Sequence, residues 1–353
     1  MNIISNYSRD AQTDKPKPGS YEWWYFDAQS VDGYKIVVIF YEGNPFSSKY
    51  IHALQNGGGS TAEKYPAVSI SVYQESRPVF YSFREVEPEQ ADFSSEMPFG
   101  KIDKCSFQGI NHQARIEYKI ELDQELSTGD SIRASLLFSN DIQSIPKFKS
   151  SGKNRGSHEW NLVLPSCHVL GEIKIDGYEK KEIAFNGLGY HDHNTGFEPL
   201  KKSFKEWYWG RYHLEDSTFI YYLMNRGDSW ENRAWIIDKN GSLFECEDVE
   251  ISSYSLSLFG FKSARVIECK AGDVEIFVQL DQVLDNGPFY QRFGGRLLLK
   301  NESGISESRG ISEYIRPARI HQKIFRPLVN MRITYPGKIH WVQKNPHLYR
   351  WTW

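Results

Sequence analysis

Two histidines and an aspartate stand in a row in residues 187–197, which read GLGYHDHNTGF. Residues of these types can hold a metal ion, exchange protons with a substrate, or form a buried polar network. In an extended strand, His191 and His193 would share one face, and Asp192 would point to the other and orient a neighbouring group. If the segment turns instead, Asp192 could pair with a histidine and fix its tautomer.

A metal site is one interpretation, because His191-x-His193 followed by Glu198 mimics the two histidines and the glutamate of a cupin. The flanking glycines do not match a cupin, and His213 could supply a third histidine only through the fold. We therefore expect no metal ion at this segment.

A polar network that ties two domains together is the structural alternative to an active site. Gly187, Gly189 and Gly196 indicate tight backbone geometry around the histidines, and buried polar groups must find hydrogen-bond partners.

A further carboxylate, Glu22, stands in the segment YEWWYFD (residues 21–27). Strand geometry would place Glu22, Trp24 and Phe26 on one face. A buried glutamate needs a partner or a raised pKa. The alternative is a glutamate at the mouth of the strand, paired with an arginine such as Arg211.

The elements that must position these residues are strands. Short apolar or alternating runs recur between Gly, Asn, Asp and Pro residues, and helical periodicity is scarce. Asn240-Gly241 and Asp32-Gly33 are hairpin signals. The sequence has 10 Trp, 21 Tyr and 21 Phe against 4 Met, which favours aromatic-rich strands around a large apolar cavity or ring-filled barrel cores. We predict an all-β protein.

Two similar segments of the sequence indicate two barrels. Residues 21–41 and residues 205–224 both open on Glu-Trp-aromatic-aromatic and return as an apolar strand. Glu22 and Glu206 lie about half the chain apart, which favours tandem duplication of a β-barrel. The predicted domains are residues 1–200 and 201–353.

Charge and cysteine content limit the partners and the compartment. The net charge of −3 gives no indication of nucleic-acid binding. The basic clusters KKSFK and RPARIHQKIFR are interpreted as solvated surface, with a role at a membrane surface or an anionic ligand left open. The four scattered cysteines are interpreted as reduced thiols. With no signal-peptide pattern and no apolar run near ~18 residues, we expect a cytoplasmic protein that is soluble or at most rests on a membrane.

Four segments, YEWWYFD, GLGYHDHNTG, EWYWGRYH and GISEYIRPARI, together resemble the carotenoid 1,2-hydratase (hydroxyneurosporene synthase) family. Relatives of that family include kievitone hydratase and lipocalin-like fungal Diels–Alderases. The resemblance spans residues 21–320. It implies two consecutive lipocalin-like β-barrel domains, a hydrophobic pocket in or between them, and chemistry without a metal or organic cofactor. A fold role is expected for Glu313 and Tyr314.

The sequence departs from the family pattern where the reaction would be decided. The family motif continues His-Asp-His-Asn-Trp-Gly, whereas Thr195 stands here in place of the tryptophan. The hydratases use a Tyr and an Asp on a following strand, and FIYYLMN offers Tyr221 or Tyr222 but no aspartate. The resemblance therefore indicates the family and leaves the substrate open.

Hydration of an alkene needs a proton donor, either a neutral carboxylic acid or an imidazolium, and aromatic faces that shelter a cation by about 0.5–2 kcal/mol each. A cyclising enzyme needs shape and a few hydrogen bonds to a carbonyl. The predicted catalytic residues are His191, Asp192, His193, Glu22 and Tyr222. The predicted substrate-binding residues are Trp23, Trp24, Tyr25, Trp207, Tyr208, Trp209, Arg211, Tyr221 and Asn194.

Three functions remain open on the sequence. The first is acid–base hydration or isomerisation of C=C bonds in a long isoprenoid or polyene, without a cofactor. The second is cyclisation of a polyene by a Diels–Alderase-like enzyme. The third is a carrier that binds a hydrophobic small molecule without turning it over.

Overall fold

The computed structural model describes residues 1–148, 158–227 and 229–353. In chain order its strands and helices are β1 Asn2–Ile4, β2 Tyr21–Ser30, β3 Tyr34–Glu42, α1 Ser48–Gln55, β4 Ala67–Gln74, β5 Arg77–Glu85, β6 Ala91–Phe93, β7 Phe99–Ile102, β8 Cys105–His112, β9 Arg115–Glu125, β10 Ser131–Asp141, β11 His158–Asp176, β12 Lys181–Gly196, α2 Leu200–Ser203, β13 Glu206–His213, β14 Ser217–Asn225, β15 Trp230–Asp238, β16 Leu243–Glu245, β17 Glu247–Ser252, β18 Ser255–Leu256, β19 Lys262–Ser263, β20 Val266–Ala271, β21 Val274–Asn286, β22 Tyr290–Asn301, β23 Gly304–Ile315, α3 Pro317–Ile320, α4 Arg326–Arg332, β24 Ile333–Thr334 and α5 Pro346–Trp351.

The strands build two units, one of Met1–Leu200 with Arg326–Trp353 and one of Lys201–Phe325. We call them unit 1 and unit 2. Strands dominate both units, which confirms the all-β prediction. Among the described residues, no helix is both long enough and apolar enough to cross a bilayer.

Unit 1 is a curled sheet in the order β24-β5-β4-β3-β2-β12-β11-β10-β9-β8-β7-β6, with β1 beside β11. Its pairings are antiparallel except for β1 with β11 and β24 with β5. Phe80 on β5 and Phe107 on β8 belong to one hydrophobic core, although their strands lie far apart in the sheet order. The sheet therefore wraps around this core as a barrel does, and Trp24 and Phe26 of β2 point into it.

Unit 2 is a sheet in the order β16-β15-β14-β13-β23-β22-β21-β20-β17. The side chain of Asn232 on β15 donates to the carbonyl of Val249 on β17, at 3.0 Å, which joins the last strand of the order to the second. A second core with Tyr208, Tyr221 and Phe293 fills this unit.

The two similar segments, residues 21–41 and 205–224, occupy equivalent positions in the two sheets. β2 pairs with β3 and with β12, and β13 pairs with β14 and with β23. The turns at both hairpin signals contain a glycine in the left-handed region, Gly33 at φ +81° and Gly241 at φ +76°. These turns need a positive φ, and glycine adopts it without strain. The four cysteines are buried and free.

The end of the chain differs from the predicted domain organisation, in which the second domain extended through residue 353. Arg326–Trp353 belongs instead to unit 1. Ile333 of β24 pairs with Phe83 of β5, and Tyr349 is buried at 2% exposure. Arg350 donates to both carboxylate oxygens of Asp130, at 2.5 and 2.6 Å. Strand pairing, burial and an ion pair attach this segment to unit 1. The sequence repeat could not reveal this, because these contacts have no counterpart in the two similar segments.

Replacing Arg350 by Met is expected to lower the free energy of unfolding by about 1–3 kcal/mol, because Asp130 would stay buried without its cation. The matched control is Arg77→Met, since Arg77 also contacts a carboxylate, that of Glu179, but has 60% of its side chain exposed against 17% for Arg350. We expect less than about 1 kcal/mol for the control. Urea unfolding followed by circular dichroism measures both, and equal losses would contradict this account.

Candidate active site

Strands β2 and β12 lie side by side and bring together the two sequence segments singled out above. The register places His193 opposite Trp24, His191 opposite Phe26 and Thr195 opposite Glu22. Side chains of directly paired residues share a face of the sheet. The histidines and Glu22 therefore point into the interior of unit 1, and Asp192 points to the other face, as expected for an extended strand.

A segment before β2 adds further charged groups to the same interior. Asp10 places Oδ2 at 3.0 Å from Nε2 of His191, and Oδ1 at 3.3 Å from Nδ1 of His193. Lys15 forms ion pairs with Glu22 and Glu42. We call Asp10, Lys15, Glu22, Glu42, His191 and His193 the buried charge cluster. Each of these residues is at most 6% exposed.

His193 is held between two carboxylates. Its Nε2 lies 2.7 Å from Oε1 of Glu22, and Asp10 stands on its other side at ion-pair distance. The ring stacks on Trp24 with centroids 4.6 Å apart. Burial alone would lower the pKa of His193, but Glu22 and Asp10 outweigh it and raise the pKa to about 9. His193 is therefore an imidazolium at neutral pH.

The two flanking carboxylates are ionised. Burial raises the pKa of Asp10, but His191 and His193 together outweigh burial and bring the pKa down to about 2. Burial likewise raises the pKa of Glu22, and Lys15 with His193 lowers it to about 2. Asp10 and Glu22 therefore face Lys15 and His193, which makes their burial tolerable, and burial raises the pKa of the third carboxylate of the cluster, Glu42.

Glu22 accepts hydrogen bonds from several directions. The hydroxyl of Thr13 donates to Oε1 at 2.7 Å, and that of Thr195 donates to the same oxygen at 3.0 Å. Thr195, in place of the tryptophan of the family pattern, thus supplies a donor to the carboxylate. The expected alternative of an ion pair with Arg211 is wrong, because Lys15 and His193 are the cations beside Glu22 and Arg211 lies on β13 of unit 2.

His191 is oriented by the backbone and by Asp10. Its Nδ1 lies 3.0 Å from the carbonyl oxygen of Tyr25, which can only accept, so Nδ1 is the donor in that bond. The ring stacks on Phe26 at 3.9 Å. The hydroxyl of Tyr118 donates to Oδ2 of Asp10 at 2.5 Å and completes the surroundings of this carboxylate.

Asp192 organises a separate network on the opposite face of β12. It accepts hydrogen bonds from Trp160 Nε1 at 2.8 Å, from Tyr190 Oη at 2.6 Å and from Asn194 Nδ2 at 2.9 Å. The Asn194 carbonyl oxygen lies 3.0 Å from Nε2 of His158. Asp192 is therefore placed to orient its neighbours, and it does not face the buried charge cluster.

Gly196 shows why glycines surround the histidines. It ends β12 opposite Tyr21, and a Cβ at this position would lie 2.1 Å from the Tyr21 ring. Without a side chain at 196, the Tyr21 ring fits and its hydroxyl reaches Nδ1 of His158 at 2.9 Å.

The other predicted site residues lie on the two units as follows. In unit 1, Trp23 and Tyr25 are buried on the face of β2 opposite Trp24. In unit 2, strand alternation and register put Trp207, Trp209, Arg211 and Tyr222 on one face of the hairpin β13–β14 and Tyr208 and Tyr221 on the other, in the core.

The hydroxyls of the two core tyrosines are engaged inside unit 2. Tyr221 donates to Ser312 at 2.6 Å, and Tyr208 accepts from the backbone N–H of Ala264 at 2.8 Å.

Sequence reasoning missed Asp10, Lys15, Glu42 and His158. The segment around Asp10 and Lys15 carries no periodic pattern, and the need of a buried Glu22 for a cation could have pointed to any lysine or arginine. Within the described ranges, no group of three or more His, Cys, Asp or Glu side chains is arranged to hold a metal ion. His213, considered above as a third histidine, lies in unit 2 beside Thr218 at 2.9 Å.

A cleft of about 1060 Å³ lies elsewhere in unit 1, along β5, the ends of β9 and residues 334–339. Charged side chains of both signs line it, Arg84 and Asp123 among them. None of its lining residues belongs to the buried charge cluster, and its polar walls differ from the apolar cavity that the aromatic content suggested.

The buried charge cluster predicts how stability depends on pH. The folded pKa of His193, about 9, exceeds the unfolded value of 6.5, so its contribution is complete below pH 6.5 and is lost as the pH rises through 9. Asp10 and Glu22 have lowered pKa values, so their contribution is present above pH 4.5 and is lost as the pH falls toward 2. Urea unfolding should show a loss on the order of 2–3 kcal/mol between pH 6.5 and 9.5. His193→Gln should lack this component, and an unchanged slope in that variant would refute the assignment.

The sequence matches known proteins over most of its length. The family described as carotenoid hydratase CrtC matches residues 120–344. Hydroxyneurosporene dehydrogenase of Chlorobaculum tepidum is 30% identical over 96% of this chain and 93% of its own length. The quinolone epoxide rearrangement protein penF of Penicillium thymicola is 27% identical over 69% of this chain and 68% of its own.

The fold has relatives among solved structures. A structure assigned to AttH, from Nitrosomonas europaea, aligns with a TM-score of 0.57 at 15% identity, covering 84% of this chain and 92% of that one. This likeness confirms the predicted all-β fold of lipocalin-like barrels. The family match covers more than half of the chain, and the Chlorobaculum relative covers nearly all of it. The chain therefore belongs to the carotenoid hydratase CrtC family.

Proposed function

We propose that this chain is a hydratase- or isomerase-type enzyme that acts on C=C bonds of a long isoprenoid or polyene, with the buried charge cluster as its proton-handling centre. Membership of the carotenoid hydratase family supports the substrate class and the reaction type. The observation that carries the proposal is the position of His193, which lies between the carboxylates of Asp10 and Glu22 and stacks on Trp24.

The proposed hydration begins with proton transfer from His193 to the less substituted carbon of the double bond. The electron pair of the C=C bond forms the new C–H bond and leaves a tertiary cation on the neighbouring carbon. The ring of Trp24 would contribute about 0.5–2 kcal/mol to the stability of that cation. A water oxygen then adds to the cation, and its extra proton returns to His193, so that alkene and water become a tertiary alcohol and the enzyme is unchanged.

The carboxylates set the strength of the acid. Asp10 and Glu22 hold the proton on His193 in the resting state and stabilise positive charge in its surroundings. Lys15 neutralises the other side of Glu22, so that Glu22 does not withdraw the proton from His193. The cluster thus keeps His193 protonated within an aromatic interior.

Access to His193 requires movement, because the cluster is buried on all sides in unit 1. Residues 10–15 cover it, and the backbone carbonyl of Asp10 accepts a hydrogen bond from Trp24 Nε1 at 2.8 Å. We propose that residues 11–14 move aside when substrate enters, while Asp10 and Lys15 keep their ion pairs with the other members of the cluster. Asp192 is proposed to act indirectly, by positioning β12 through Trp160, Tyr190 and Asn194.

The unit 2 residues Trp207, Trp209, Arg211 and Tyr222 are proposed substrate contacts, since they share one buried face of β13–β14. Rings on a common face can hold a polyene chain by apolar contact, and the Arg211 guanidinium can bind a carbonyl oxygen.

Rearrangement or cyclisation is the second candidate function. The Penicillium thymicola relative is a quinolone epoxide rearrangement protein. Thr195 in place of the expected tryptophan also removes a ring beside His193 and adds a hydroxyl, which weakens the likeness to the hydratases at this position. An imidazolium can protonate an epoxide or carbonyl oxygen as it protonates an alkene.

Replacing His193 by Gln is expected to lower turnover of an acyclic carotenoid by about 10²–10⁴-fold with substrate affinity nearly unchanged, because the proton donor is lost. Glu22→Gln should also lower turnover, since it weakens the hold on the imidazolium proton. Mass spectrometry of the product, with the substrate supplied in detergent micelles, measures both. The matched control is His213→Gln, a buried histidine of unit 2 outside the cluster, which should keep wild-type turnover.

The product identifies the reaction. A gain of one water molecule supports hydration, and an isomeric product of unchanged mass with fewer double bonds supports cyclisation. Bound carotenoid that is never converted, with equal affinity in all variants, would show a carrier and overturn the proposal. Equal loss of turnover in the His213 control would remove His193 from its assigned role.

A further inference from the structure

Residues 326–353 have an unusual composition for a chain with a net charge of −3. They contain five lysines and arginines and no aspartate or glutamate, together with three of the ten tryptophans. Arg350 is engaged with Asp130, as described above. The lysines of the segment are Lys338 and Lys344, and neither forms an ion pair with a residue that the structure describes.

Large apolar side chains in this segment are exposed. Trp341 is 66% exposed and Trp351 is 76% exposed, and Ile339 and Leu348 accompany them at 46% and 40%. α5 is anchored through buried Tyr349 and turns Leu348 and Trp351, three residues apart, to solvent. Single exposed apolar residues are ordinary, but two indoles and two aliphatic side chains within 13 residues are not.

These side chains belong to one short stretch of chain. The 3-10 turn Trp341–Lys344 is followed directly by α5, which Asn345 caps by accepting from the backbone N–H groups of His347 and Leu348. Lys338, Ile339 and Lys344 also line the cleft of unit 1 together, so they are neighbours in space. We call Lys338, Ile339, Trp341, Lys344, Leu348 and Trp351 the basic tryptophan surface.

We propose that the basic tryptophan surface docks unit 1 on an anionic phospholipid bilayer. Indole rings favour the boundary between headgroups and acyl chains, where the ring is buried and its N–H stays hydrated. Lysines beside them are attracted to anionic headgroups. Carboxylates in the cleft offset part of this attraction, so the indoles provide most of the binding and the lysines add selectivity for anionic lipid.

A bilayer fits this surface better than nucleic acid does. Aromatic and basic residues also bind single-stranded nucleic acid, by stacking on bases and pairing with phosphates. The aliphatic side chains of Ile339 and Leu348 cannot stack on bases as aromatic rings do. Burial among acyl chains, in contrast, is favourable for both. The proposed docking to a bilayer does not depend on the proposed reaction. If the substrate is an isoprenoid dissolved in the same bilayer, docking would bring the enzyme to it.

The test is co-sedimentation of the full chain with two kinds of vesicle, pure phosphatidylcholine and phosphatidylcholine with a third of phosphatidylserine. Wild type should bind the anionic vesicles more tightly. The double variant Trp341→Ala/Trp351→Ala should lose at least about tenfold in affinity for both kinds. Lys338→Gln/Lys344→Gln should lose about three- to tenfold, and only on the anionic vesicles.

Matched controls separate this surface from general stickiness. Leu256→Ala/Leu258→Ala removes two apolar side chains of unit 2 that are 69% and 87% exposed. Lys119→Gln/Lys174→Gln removes two exposed lysines of unit 1 and the same charge. Both controls should bind within about twofold of wild type. Thermal unfolding should show that every variant is folded, since all the changes are at exposed positions.

Absence of binding to anionic vesicles would overturn the proposal, as would an equal loss in the controls or full binding by the tryptophan variant. Polyuridylate serves as the competing ligand. Binding to polyuridylate without binding to vesicles would assign the surface to nucleic acid and also contradict the proposal.

Discussion

The ion pair of Glu22 with His193 is the interaction on which the interior of unit 1 depends. Each charge would cost several kcal/mol to bury alone. Lys15 and Asp10 supply the second cation and the second anion, so each of these four charges has an opposite charge beside it in an aromatic core. Loss of any member leaves a buried ion without one of its partners, which explains why Asp10, far from β12 in the sequence, is tied to that strand.

Strand alternation divides the motif of β12 into two chemistries. His191 and His193 point to the interior, where His193 is the proposed proton donor, and Asp192 and Asn194 point to the other face and hold a hydrogen-bond network. A shift of one residue in the register of β2 and β12 would exchange these faces. The close contact of Gly196 with Tyr21 helps to fix the register, because no side chain fits there.

The two units share one arrangement of paired strands, but only unit 1 is completed by a segment from the end of the chain. In both, the strand that opens on Glu-Trp pairs with its hairpin partner and with a late strand of the same unit. Unit 1 alone takes in the returning segment Arg326–Trp353, through β24, Arg350 and Tyr349. That segment also carries the exposed tryptophans, so one short stretch of chain contributes both to the stability of unit 1 and to its surface.

The sequence by itself determined the all-β class, the two hairpins at Asp32-Gly33 and Asn240-Gly241, the two similar segments that indicate a tandem repeat, and the shared face of His191 and His193. These properties follow from local periodicity, turn chemistry and strand alternation, which act over a few residues. Only the tertiary structure decided that Lys15 rather than Arg211 neutralises Glu22, that Asp10 joins the histidines, and that residues 326–353 return to unit 1. Those pairings join residues far apart in the chain, and the closure of the barrel, which no local pattern encodes, brings them together.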